Sequence, residues 1–139
     1  MFFNYREAAD FPLALKISYD IREQTWEDEP ILVFETAWPK LGPSIYYLSE
    51  REPPFPNLFF FPWVMSPVEI ERLSDAIDSQ TPSLIVLLGP DPSIPAVIQL
   101  QEKIHREYQL IEEYTDDSGI YPHIQETTIY VRIYVRQSR

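Results

Sequence analysis

The sequence predicts an α/β fold: a three-layer sandwich around a mostly parallel, Rossmann-like sheet, closed by a C-terminal strand near one edge. Two observations carry that expectation. The runs "ILVFE" and "SLIVLLG" are apolar almost throughout and rich in branched residues, as strands covered on both faces are. Between such runs lie stretches with apolar residues at helical spacing, and strands separated by helices pair in parallel through right-handed crossovers. The chain of 139 residues fits one domain, residues 1–139, and its 45% hydrophobic and 24% charged residues are ordinary for a folded protein.

Taken in order, "DFPLALKISYDIREQ" places Ala14, Ile17 and Ile21 on one helical stripe, with Asp10 as N-cap and Pro12 in the first turn. The acidic turn "EDEP" leads into the strand "ILVFE". "GPSIYYLS" reads as a short helix, and Pro53, Pro54 and Pro56 then force extended backbone into "NLFFF", a second strand. "SPVE" is a capping box, with Ser66 as N-cap, Pro67 at the first helical position and Glu69 three residues past the cap, so a helix is expected from about Pro67 to Asp78. The strand "SLIVLLG", the helix "PSIPAVIQLQEKIHREY" and the strand "QLIEEY" follow. In "TTIYVRIYVR", Ile129, Val131, Ile133 and Val135 alternate with Tyr130, Arg132, Tyr134 and Arg136, giving one apolar and one amphipathic face.

Composition excludes several functions. Twenty-two acidic residues against 11 basic ones give a net charge of −11, which repels phosphate backbones and makes nucleic acid an unsuitable partner. Without cysteine there is no disulfide, thiolate metal site or cysteine nucleophile. "MFFNYREAAD" lacks the basic and apolar regions of a signal peptide, and "LFFFPWVM" and "LIVLLG" are too short to span a bilayer.

No catalytic constellation emerges. "LLGPDPS", at a strand end, lacks a glycine fingerprint, and Pro90 and Pro92 remove amides that a phosphate cradle would use. Asp116, Asp117, His123 and Glu126 match no metal-ligand spacing and read as an acidic loop. His105, among Lys103, Arg106 and Glu107, reads as solvent-facing. No serine occupies a G-x-S-x-G elbow. Neither a catalytic residue, a metal nor a cofactor is therefore assigned.

The conspicuous stretch is "YYLSEREPPFPNLFFFPW", residues 46–63, which holds seven of the 20 aromatic residues and four of the 14 prolines. Read with "IREQTWEDEPILVFE" and "IERLSDAIDSQTPSLIVLLG", it resembles the C-terminal region of polytopic membrane glycosyltransferases of the dolichyl-phosphate-mannose-protein mannosyltransferase type. The likeness covers about residues 10 to 114 and lies in order and spacing, with a tyrosine-rich "YYLS" leading into a proline loop. The family takes its sugar from a polyprenyl phosphate and keeps its catalytic acids in the membrane part. The resemblance thus implies a non-catalytic extracytoplasmic domain that contacts the transmembrane part, the membrane surface or an acceptor.

Three readings of the aromatic stretch stay open. Tyr47, Leu48, Phe59 and Phe61 are core; or Tyr46, Arg51, Phe55, Asn57 and Trp63 line a surface facing the membrane part or acceptor; or the segment is a weak homo-oligomer interface. Another class of function is a free-standing cytoplasmic interaction or regulatory module of similar fold without enzymatic activity.

Overall fold

The computed structural model describes residues 5–36, 41–55, 66–116 and 128–137, with side chains from residue 12 onward. Among them the elements run α1 (Tyr5–Gln24), β1 (Ile31–Glu35), α2 (Gly42–Ser49), α3 (Pro67–Asp78), β2 (Leu84–Gly89), α4 (Pro95–Glu107), β3 (Tyr108–Asp116) and β4 (Ile129–Arg136). The expected "NLFFF" strand lies outside the described residues.

The sheet order is β1-β2-β4-β3. β1 and β2 pair in parallel, whereas β4 is antiparallel to both β2 and β3. Because β4 opposes both neighbours, β1, β2 and β3 all run the same way. Helix-separated strands thus share a direction, as their alternation predicts, but the crossover through α4 leaves a strand's width between β2 and β3. β4 returns from the end of β3 and fills that gap. The result is an open mixed sheet with one parallel pairing in three, in place of the mostly parallel Rossmann-like sheet expected. The C-terminal strand lies one position in from the edge, which β3 occupies among the described strands.

Two cores lie on opposite faces of the sheet. On one, Ile31, Val33, Val86, Val131 and Ile133 pack against Leu13, Ala14, Ile17 and Ile21 of α1 and Ile45 and Tyr46 of α2. On the other, Leu32, Phe34, Ile85, Leu87 and Tyr134 pack against Leu73 and Ile77 of α3 and Val97, Leu100 and Ile104 of α4. The layers are therefore helix, sheet and helix. Every residue of β1 and β2 is buried, which explains why their sequences do not alternate.

α1 starts at Tyr5, earlier than the Asp10 cap expected, so Pro12 sits inside the helix rather than in its first turn. The run Glu7-Ala8-Ala9 consists of strong helix formers and carries the helix N-terminally past the one hydrogen bond that proline removes. In β3 the pairing register shifts between Leu110 and Glu112. That bulge turns Leu110 towards the α3–α4 core and Tyr114 towards the α1–α2 core.

α3 has the bounds expected. Ser66 Oγ accepts the Glu69 N–H at 3.2 Å, and Glu69 Oε1 lies 3.4 Å from the same hydroxyl. The N-cap oxygen satisfies an amide that has no partner within the helix. Ser66→Ala is expected to lower the free energy of unfolding by about 0.5–2 kcal/mol, read as a lower denaturant midpoint at unchanged slope; an unaltered midpoint would show that the cap contributes nothing.

Candidate functional site

In the described part of the aromatic stretch, helix phase decides which rings are inside. "GPSIYYLS" is helical, so Gly42, Ile45, Tyr46 and Ser49 share the buried side and Tyr47 points away. The expectation is reversed here: Tyr46 is core, and Tyr47 is 67% exposed. The Tyr46 hydroxyl accepts the Val33 N–H at 2.9 Å, and the Ile31 N–H donates to Glu52 O at 2.9 Å. Alternate residues of a strand direct their N–H groups to the same side, so these two bonds serve the edge of β1 turned away from β2. Burial is the main cause that holds the Tyr46 phenol protonated far above its ordinary range; the Val33 N–H opposes this and the charge of Glu35 adds to it.

Both ends of α2 are fixed by buried charge. At its start, Glu35 accepts the N–H groups of Leu41 at 3.1 Å and Gly42 at 2.9 Å, where the helix dipole also favours an anion. At its end, Glu50 takes a left-handed conformation, φ 56°, and turns the chain inward. Arg51 follows, buried, donating through Nε to Thr25 Oγ1 at 2.9 Å and through Nη2 to Thr25 O at 3.2 Å. Its Nη1 donates to Ser49 O at 3.0 Å. Arg51 thus ties the end of α1 to the end of α2.

Tyr46 and Arg51 are therefore interior supports rather than parts of an exposed recognition surface. Phe55 packs against the α3–α4 core, with the Arg72 guanidinium 6.0 Å from its ring centroid. Asn57 and Trp63 lie outside the described residues, as do Phe59 and Phe61. Among the described residues, other aromatic side chains face solvent: Tyr19 on α1, Trp26 just past its end and Tyr47 on α2. Tyr19 follows exposed Leu15 by four residues on the helix face opposite Ile17 and Ile21. Sequence reasoning passed over Tyr19, although its offset from the Ala14, Ile17 and Ile21 stripe is the signal that could have marked it as external.

On the other side of the sheet, a groove of about 700 Å³ runs between α4 and the β3–β4 hairpin. Leu110, Glu113, Arg132 and Tyr134 form its floor, and Ile98, Gln101, Glu102 and His105 its wall. Wall residues spaced by three and four lie on one helix face; floor residues are cross-strand pairs, Leu110 with Tyr134 and Glu113 with Arg132. Arg132 donates to Glu113 Oε2 at 2.7 Å and to Asp91 Oδ1 at 3.2 Å. Burial opposes its charge, yet the bonds to the two carboxylates prevail and raise its pKa. His105 is exposed and meets the Tyr134 ring edge-on, with centroids 6.3 Å apart. Gln101 Oε1 is buried without a hydrogen-bond partner. The lining combines apolar side chains with carboxylate, guanidinium, imidazole, amide and phenol groups and holds no serine, threonine or cysteine.

At the end of β2, Gly89 adopts φ 130°, Thr36 Oγ1 donates to Pro90 O at 2.5 Å, and Asp91 turns back to Arg132. "LLGPDPS" is thus a braced strand-to-helix turn. Among the described residues no group of three or more acidic or histidine side chains is placed to hold a metal ion; Asp117, His123 and Glu126 lie outside them. No helix among them is long and apolar enough to cross a membrane. No protein-family model, curated protein or solved structure matches the chain.

The position of Tyr46 is open to direct test. Tyr46→Phe keeps the ring but leaves the buried Val33 N–H without its acceptor, at an expected cost of about 1–3 kcal/mol. Chemical denaturation measures it; a cost near zero would show that the strand edge does not rely on the hydroxyl.

Proposed function

We propose that this chain is a non-catalytic extracytoplasmic domain of a membrane glycosyltransferase of the dolichyl-phosphate-mannose-protein mannosyltransferase type, and that its α1–α2 side contacts the transmembrane part of that enzyme. The observation that carries the reading is the exposure of aromatic rings along the α1–α2 layer: among the described residues Tyr19 on α1 and Tyr47 on α2 are 65% and 67% exposed, and Trp26, just past α1, is 78% exposed. Large aromatic residues left in water on one side suit an apolar or interfacial partner. Two of the segments that carry the family resemblance meet that layer: "IREQTWEDEPILVFE" begins in the last turn of α1, and "YYLS" is part of α2. With a net charge of −11, docking rests on apolar contact rather than on attraction to anionic head groups. The common direction of β1, β2 and β3 supports reading the sheet as a Rossmann-like core into which β4 has been inserted.

A second reading is a free-standing cytoplasmic interaction module, favoured by the groove beside α4, where a partner's side chains would find both apolar and charged groups.

Cell fractionation separates the two. With a tag on the protein expressed from its own locus, the first reading expects it in the membrane pellet after a high-salt wash, with the tag open to protease from the extracytoplasmic side. A product found wholly in the cytosol would overturn it. The triple substitution Tyr19→Ser, Trp26→Ser and Tyr47→Ser is expected to leave the denaturation midpoint nearly unchanged, since surface changes usually stay within about 0.5 kcal/mol, while lowering sugar transfer by the membrane enzyme. A large loss of stability would show instead that these rings are core.

A further inference from the structure

The seam between α1 and the strand β3 gathers titratable groups from both elements. α1 contributes Lys16 and Asp20, four residues apart and so on one face of the helix. β3 contributes Glu112 and Tyr114, two residues apart and so on one face of the sheet, with Asp116 next in the same series. The strand β4 adds no charge on this side: the cross-strand neighbours of Glu112 and Tyr114 are Ile133 and Val131, both fully buried. Among the described residues, Lys16 is the cation set beside Asp20 and Glu112. Lys16 Nζ lies 3.8 Å from Glu112 Oε1 and 3.5 Å from the centroid of the Tyr114 ring, so its single charge is shared between the two.

Two polar atoms in the seam, Asp20 Oδ2 and the Tyr114 hydroxyl, are buried without a hydrogen-bond partner. Ionised carboxylates have acceptors only. Asp20 and Glu112 are placed to hydrogen-bond to each other, and that bond exists only when one of them carries a proton.

We propose that Asp20 and Glu112 form an acid-operated latch, in which one shared proton fastens α1 to β3 and its loss loosens that attachment. Without the proton, two negative charges face each other at a partly buried site where Lys16 is already divided between a carboxylate and a ring. With it, the repulsion becomes a hydrogen bond. Burial first, then the bond to Glu112 and the charge of Glu112, hold the Asp20 carboxyl up at about 6 from its ordinary 3.8, with Lys16 pulling the other way. The sign follows from linkage. The folded state binds the proton more tightly than the unfolded chain, so the stabilisation is fully present below pH 3.8 and is lost as the pH rises to about 6. The latch is thus closed in mild acid and released near neutrality.

The test combines nuclear magnetic resonance titration with amide hydrogen exchange on the whole chain. The Asp20 side-chain carboxyl carbon is expected to titrate with its midpoint near 6. After correction for intrinsic rates, α1 amides are expected to exchange several-fold faster at pH 7.5 than at pH 5. In Asp20→Asn the amide donates to Glu112 at either pH, so that difference should vanish; Glu112→Gln should abolish it too and serves if the first variant does not fold. An Asp20 midpoint near its ordinary value, or an exchange ratio equal in wild type and variant, would overturn the proposal.

Discussion

The structure depends on how the backbone of β1 is satisfied on the side away from β2. A strand at that position presents a row of N–H groups, and a buried one left unpaired costs about 1–3 kcal/mol. Since a domain's whole stability is about 5–15 kcal/mol, two such losses would remove much of it. α2 and the segment after it prevent this, because Tyr46 serves Val33 and Glu52 serves Ile31. For those bonds to form, α2 must be held in one place. Glu35 fixes its start and Arg51 its end, and Arg51 also anchors the end of α1. Residues 46–52 therefore form a splint along β1 through Tyr46 and Glu52, with Tyr47 left on its outer side, and α1 packs where that splint permits.

The opposite face solves a different problem. α3 and α4 cover it over β1 and β2, where every strand residue is buried. Towards β3 and β4 the cover thins, and the floor becomes polar. Arg132 lies between Glu113 and Asp91, and its guanidinium also sits 4.2 Å from the Tyr130 ring centroid. Partly exposed pairs of this kind add little stability. Their effect is to let a strand face end in water, with a charge already matched, beside the buried Tyr134. Alternation in "IYVRIYVR" serves both conditions: the Ile/Val side needs a dry core, and the Tyr/Arg side tolerates a groove.

Much of the fold was legible because the signals were local. The capping box at Ser66, the apolar runs of β1 and β2 and the alternation of β4 each follow from nearest-neighbour chemistry, and each element lies where those patterns put it. Strand order was not legible, since alternation of helices and strands fixes the direction of β3 but not the gap that β4 fills. The candidate surface failed for a related reason. A tyrosine pair carries no phase by itself, and whether Tyr46 or Tyr47 turns inward depends on the helical frame set by Leu41, Gly42 and Ile45. Arg51 misled because a charge in a proline-rich stretch suggests solvent, whereas the carbonyl oxygens it meets come from residues 25 and 49 and are invisible locally.

The excess of acid is sharpened by where the bases are used. Arg51 donates to the Thr25 hydroxyl and to the carbonyl oxygens of Thr25, Ser49 and Glu50, all neutral acceptors. Arg132 is held between two acids on the groove side, and Lys103 is held by Ser74 and Asp78 between α3 and α4. Arg136 bonds to Thr81 O and lies near Glu29. Each base secures one junction of the fold, and none of these four reaches the α1–β3 seam. Among the described residues the cation at that seam is Lys16, beside Asp20 and Glu112. With 22 acids and 11 bases, using cations as structural ties leaves fewer of them to separate neighbouring carboxylates. A proton shared between two facing carboxylates relieves that repulsion, and the acid latch proposed at this seam rests on the same placement of bases that holds the layers together.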